Sequence, residues 1–156
     1  MNNNDTFLAF FIDGQKYAIP LASVDKISRA VEITPLPKAP SIILGIINFR
    51  GRILPVVNLR RRFGLQERDP ELADQLIMAH TPARAVALLA DHVEGVIEID
   101  RREVIKAGRI VPRTEYVEGV VKLADGLLLI HDLAGFLSLD EETALARALQ
   151  VNGDAQ

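Results

Sequence analysis

Three histidines, His80, His92 and His131, are the side chains best suited to hold a metal or move a proton near neutral pH. Their separations, 12 residues (80 to 92) and 39 residues (92 to 131), put no two of them on one helical face or one side of a strand. The chain has no cysteine, which excludes disulfides, thiolate zinc sites, iron–sulfur clusters and cysteine nucleophiles. Ser23, Ser28, Ser41 and Ser138 stand in no Gly-x-Ser-x-Gly elbow, and neither a Gly-x-x-x-x-Gly-Lys phosphate loop nor a Gly-x-Gly-x-x-Gly turn occurs. Glu141 and Glu142 are adjacent carboxylates on a helix-forming segment, where solvation accounts for them. Asp91 and Asp132 end apolar runs and suit cap positions. No catalytic group, metal or cofactor is expected. The distinctive charge is basic: Gly45 to Gly64 holds Arg50, Arg52, Arg60, Arg61 and Arg62 and no acid. Arg60 to Arg62 read as a solvated edge, whereas Arg50 precedes Gly51 in a tight turn that holds its side chain out toward solvent or a partner.

The elements that carry these residues are short and apolar. Hydrophobic residues make up 49% of the 156, aromatics only 5% with no Trp, so the core must be aliphatic and there is little stacking material for bases. A formal charge of −3 gives no basic field for nucleic acid. The N-terminus lacks a basic stretch ahead of an apolar one, and no apolar run approaches the roughly 20 residues of a membrane span, so the chain reads as soluble and cytoplasmic. Phe7 to Ile12 and Gln15 to Ile19 flank Asp13-Gly14, a strong hairpin signal. One helical turn from Leu21 to Val24 and an extended run to Val31 follow, and then the prolines at 35, 37 and 40 impose an irregular loop. Gly45 to Phe49 and Arg52 to Asn58 flank Arg50-Gly51 as a second hairpin. A short helix from Leu59 to Phe63 and a polar linker from Gln66 to Gln75 complete the first half.

The second half repeats the first. Leu44-Gly45-Ile46-Ile47-Asn48-Phe49 aligns with Glu118-Gly119-Val120-Val121-Lys122-Leu123 at an offset of 74 (119 minus 45), which also carries Ile53-Leu54 onto Leu127-Leu128 and Asn58-Leu59 onto Asp132-Leu133. Val24 to Ile27 matches Val93 to Val96 at an offset of 69. The expectation is a mainly β protein of one domain over residues 1–156. Its first barrel unit is placed roughly at 7–65, its second at 76–139, and a C-terminal helix at 140–150 ahead of a frayed tail.

The run from Gly45 through Arg60, with Ile33-Thr34-Pro35-Leu36-Pro37-Lys38-Ala39-Pro40 before it, resembles the CheW family of chemotaxis coupling proteins. Tyr17-Ala18-Ile19-Pro20-Leu21 with Val24, Leu89 to Val96, and Asp125 to Leu133 extend the likeness over about Phe7 to Leu139. The resemblance implies two SH3-like five-stranded β-barrels with short helices. It also implies a non-enzymatic adaptor or scaffold that joins the cytoplasmic tips of chemoreceptors (methyl-accepting chemotaxis proteins) to the regulatory domain of a CheA-type histidine kinase. Such an adaptor is cytoplasmic and recruited to membrane-associated receptor arrays, without nucleic-acid binding or membrane insertion. The alternative is a CheW-like scaffold docking another client, such as a methyltransferase or response regulator. By motif position, Val24, Gly45, Arg50 and Gly51 look like receptor-binding positions, with Val24, Ile46 and Val57 walling an apolar groove; the kinase-binding residues are not identified. Asn58, Lys26 and His131 depart from the family pattern, as does Phe49 within Asn48-Phe49-Arg50-Gly51.

Overall fold

The computed structural model describes residues 3–106 and 117–154, with side chains described through 151 except at 117. Among the described residues there are eleven strands: β1 (Asn4–Ile12), β2 (Gln15–Pro20), β3 (Val24–Arg29), β4 (Ile43–Phe49), β5 (Arg52–Val57), β6 (Gln75–His80), β7 (Ala85–Ala90), β8 (His92–Asp100), β9 (Ile105–Lys106), β10 (Val117–Leu123) and β11 (Gly126–His131). The helices are α1 (Leu59–Arg62) and α2 (Leu139–Asp154), with single 3₁₀ turns at Leu21–Ser23, Arg101–Glu103 and Leu133–Phe136. Asp13 and Gly14 both take positive φ (52° and 76°), as do Arg50 and Gly51 (52° and 83°), so both expected hairpins close through turns whose twist matches their strands.

The strands form two sheets, ordered β8-β1-β2-β11-β10-β9 and β3-β6-β7-β5-β4. Under the repeat, β1 to β5 correspond to β6, β7, β8, β10 and β11, and each sheet order converts into the other. The barrel boundaries at 7–65 and 76–139 therefore require correction. The β1–β2 hairpin of the first half pairs with β8 and β11 of the second, while β6–β7 pairs with β3 and β5 of the first. Each sheet is built from both halves. Residues 107–116, inside the second unit, lie outside the described residues.

Both sheets close in the same way. Past Asp100 the chain turns over Arg101–Glu103 and returns as β9 to pair with β10, Ile105 opposite Val120. Past β3, Thr34 makes the corresponding bridge to Ile46, with backbone N–H···O distances of 2.9 and 2.7 Å. Each closing segment crosses its strand at a glycine. A Cβ on Gly45 would lie 2.4 Å from the Thr34 carbonyl oxygen, and one on Gly119 would lie 2.6 Å from Val104 Cγ1. The repeated glycines thus mark where the barrels shut, next to bulges between Ile43 and Gly45 and between Val117 and Gly119.

Three cores result. Phe7, Ala18, Ile99, Val121, Leu128 and Ile130 fill one barrel; Ile47, Leu54, Val56, Leu76, Met78 and Ala87 fill the other. A larger joint core, including Leu8, Phe10, Ile19, Ile77, Leu88 and Phe136, lies between the sheets. Successive residues of β6 point alternately into a barrel and into the joint core, so both faces are buried and Leu76-Ile77-Met78-Ala79 shows no polar alternation. His131, 2% exposed, packs in the joint region with its ring stacked on Phe63 (centroids 4.4 Å apart) and beside Tyr17 and Phe136. Burial, reinforced by the Asp13 charge, pushes the Tyr17 hydroxyl up to about 12 against the opposing pull of Arg60.

The terminal helix is longer than expected, running to Asp154 rather than fraying from Gln150. Leu145 and Ala148 enter the joint core. Ser138 Oγ accepts from the Glu141 N–H while Glu141 Oε1 accepts from the Ser138 N–H, a capping box that fixes the start of α2. Arg62 Nη2 also donates to both Glu141 oxygens, and Glu142 pairs with Arg84. Neither carboxylate is simply solvated, because α2 lies on the body with its acidic first turn facing two arginines.

Candidate functional site: the seam between β3 and β4

β3 pairs with β6 along one edge, and β4 pairs with β5 along one edge and with Thr34 alone on the other. Their remaining edges border a seam in the barrel wall. On the β3 side Val24 is half-buried against the joint core, and a bulge between Val24 and Lys26 leaves Asp25, Lys26 and Ile27 exposed. On the β4 side Phe49 is half-buried and opens the two-residue turn Arg50-Gly51. Asn48 Oδ1 accepts from the Gly51 N–H at 3.0 Å, which pins the turn and leaves the Arg50 side chain exposed.

The Phe49 ring collects two cations. The Arg50 guanidinium carbon lies 5.2 Å from its centroid and Lys26 Nζ lies 5.7 Å from it, within cation–π range. Lys26 therefore reaches from β3 to the tip of the β4–β5 hairpin. Asp25, its neighbour, has Oδ1 2.8 Å from His80 Nδ1.

Of the four residues taken as receptor-binding, Arg50 and Gly51 share the exposed turn and Val24 lies across the seam on β3. Gly45 is different, being buried beneath Ile33 and Thr34 with no room for a side chain, so its part is to let the barrel close. The expected groove also needs correction: Val57 is 1% exposed and faces the joint core, leaving Val24 and Ile46 half-buried. Sequence reasoning did not join Lys26 and Phe49 to the site. Phe49 reads as one more apolar strand residue, and the approach of Lys26 depends on barrel closure, which no local pattern records.

The other arginines behave differently. Arg60, expected to be solvated, donates to Asp13 Oδ1 (2.6 Å) and to both oxygens of Asp91 (2.7 and 2.8 Å), with its side chain only 12% exposed. Arg68 donates bidentately to Asp74 (2.7 and 2.9 Å) and to Asp91 (2.8 Å). Asp91 is thus a bridge rather than the expected cap, accepting also from the Asp13 N–H, whereas Asp132 does cap, accepting from the Ala134 N–H. Asn58 caps α1 through the Arg61 N–H and donates to Glu67, a bond an aspartate could not make in its ionised form. Burial would raise the Asp74 pKa, but the Arg68 hydrogen bonds, the Glu71 N–H and nearby positive charge outweigh it and hold the carboxyl below its usual range. Among the described residues no three His, Asp or Glu side chains converge as a metal site, and no helix is long and apolar enough to cross a membrane.

Comparison with known proteins agrees with this architecture. Over 124 residues the chain is 34% identical to the chemotaxis protein CheW of Thermotoga maritima, covering 80% of this chain and 81% of that one. Over 145 residues it is 27% identical to the chemotaxis protein CheW of Rhizobium meliloti, covering 92% and 94%. The crystal structure of the scaffolding protein TtCheW from Thermoanaerobacter tengcongensis matches with a TM-score of 0.78 at 28% identity, over 88% of this chain and 94% of that one. The family model described as the CheW-like domain spans residues 6–141, from β1 to the first turn of α2, and the chain belongs to that family.

Proposed function

We propose that this chain is a non-enzymatic adaptor that couples chemoreceptor cytoplasmic tips to the regulatory domain of a CheA-type histidine kinase within membrane-associated arrays. The observation that carries the reading is the exposed Arg50-Gly51 turn, whose Phe49 ring is met by Lys26 from the unpaired edge of β3, in a chain of the CheW-like family. A receptor tip is a helical hairpin, and an apolar stripe on such a hairpin fits a seam with Val24, Ile27 and Phe49 along it. The side chain of Arg50 supplies a polar anchor. Val24, Arg50 and Gly51 are assigned to the contact, and Gly45 supports it from beneath.

The decisive experiment reconstitutes purified chain, a receptor cytoplasmic fragment and a CheA-type kinase from one genome, then measures kinase autophosphorylation with and without the chain. A ternary complex whose receptor control depends on the chain supports coupling. Binding to neither partner defeats it and leaves a different client, such as a methyltransferase or response regulator, as the occupant.

A further inference from the structure

Most arginines of the described chain are matched with acids. Arg60, Arg61, Arg62, Arg68, Arg84, Arg101 and Arg102 all lie in ion pairs. At the seam, among the described residues, no carboxylate stands within ion-pair distance of Lys26, Arg50 or Arg52, although the protein as a whole carries more acids than bases. The nearest acid in sequence, Asp25, is held by His80. Two of these cations converge on one half-buried aromatic ring, so each has a defined place rather than a free sweep through solvent.

Resting on the coupling reading, we infer that Lys26, Phe49 and Arg50 form a specificity seat for an acidic side chain beside the apolar stripe of the receptor tip, with Lys26 as a determinant of partner choice. The chemistry follows from complementarity. The half-buried Phe49 ring, with the 36%-exposed Ile27 next to Lys26 on β3, offers an apolar floor, while the two cations leave positive charge without a counter-charge. A basic residue docked there would meet two like charges, so the seat rejects basic tips as well as favouring acidic ones. Exposed charges at the edge of an interface act mainly on association rate and on the choice among partners.

The test uses the full chain and the soluble cytoplasmic fragment of a chemoreceptor encoded in the same genome, with binding measured by calorimetry from about 50 to 300 mM salt. Neutralisation by Lys26→Met, which keeps the aliphatic stem, is expected to weaken binding about threefold. Reversal by Lys26→Glu or Arg50→Glu is expected to weaken it about tenfold, with a shallower salt dependence than the unchanged chain and an unchanged melting temperature. Changing the receptor carboxylates at the contact to lysine should restore binding to Lys26→Glu. Equal binding by all variants with a flat salt response would overturn the seat while leaving coupling intact. Failure of the unchanged chain to bind the fragment overturns the coupling reading and the seat with it. Loss of binding to the kinase regulatory domain, with receptor binding kept, overturns the assignment of the seat to the receptor.

Discussion

Two groups of arginines, 10 to 18 residues apart in sequence (Arg50 against Arg60 and Arg68), do opposite work. Arg60 and Arg68 are enclosed with Asp13, Asp74 and Asp91 where the two sheets meet, while Arg50 stands in an exposed turn beside Lys26 with only an aromatic ring for company. Asp13 belongs to the β1–β2 turn, Asp91 joins β7 to β8, and Arg60 follows β5, so the enclosed cluster ties one barrel to the other. The comparison teaches that a charge whose partners lie within the chain contributes to the fold, whereas one placed rigidly without a partner is available for recognition.

The largest effect should come from opening the enclosed cluster. Arg68→Met leaves Asp74, whose side chain is 2% exposed, with the Glu71 N–H but no cation directly bonded to it. Stranding a buried carboxylate is costly, and a loss of about 2–3 kcal/mol is expected in urea unfolding, below the upper range because Arg68 itself is partly exposed. A loss under about 0.5 kcal/mol, the range of an ordinary surface substitution, would show that the cluster is only decorative.

Glycine substitutions sharpen the contrast beneath and at the seam. Gly45→Ala drives a methyl against the Thr34 carbonyl, which is backbone and holds the barrel bridge, so about 2–3 kcal/mol should be lost. Gly51 has open space around it and a φ of 83°, so Gly51→Ala should cost only about 1 kcal/mol of backbone strain. Thermal unfolding of the two proteins ranks them, and the reverse order would refute the closure role given to Gly45.

Acid should attack the enclosed region selectively. Burial opposes ionisation of Asp74 and Glu141, but their arginine and backbone hydrogen bonds prevail and hold both carboxyls below the ordinary 3.8 and 4.5. A carboxylate whose folded pKa is depressed contributes stability that is fully present above its unfolded value and is lost as pH falls through the folded one. Urea midpoints should therefore be insensitive to these groups near pH 7 and decline below about pH 4.5. Arg68→Met should flatten the part of that decline due to Asp74.

How these regions relate to the sequence explains what was legible. The hairpin at Asp13-Gly14 and the turn at Arg50-Gly51 were readable because two-residue turns demand particular local conformations. The repeat was readable because Gly45 and Gly119 answer the same steric demand, although that demand comes from a crossing segment the sequence does not locate. The exchange of β1–β2 and β6–β7 between the halves left no local trace, since an apolar hairpin fits either sheet equally well by pattern. For the same reason Arg60 and Asp91 looked solvated or capping: their partners lie 47 and 31 residues apart along the chain and meet only after the exchange. The seam inherits this limit, because Lys26 reaches Phe49 only once the barrel has closed.

The smallest stability effect belongs to the exposed cation, and its smallness is the point of the comparison. Arg50→Ala removes a side chain that makes no hydrogen bond or ion pair among the described residues and only a surface contact with Phe49, so unfolding free energy should move by no more than about 0.5 kcal/mol. Arg60→Ala, three residues past the end of β5, deprives Asp13 and Asp91 of a shared partner and should cost more than about 1 kcal/mol. Measured side by side, the pair should separate the two roles: Arg60→Ala lowers the melting temperature, and Arg50→Ala lowers receptor-fragment affinity at an unchanged melting temperature. If Arg50→Ala destabilised the fold as much as Arg60→Ala, the turn would be part of the scaffold, and weaker receptor binding by that variant would then reflect lost structure rather than a lost contact.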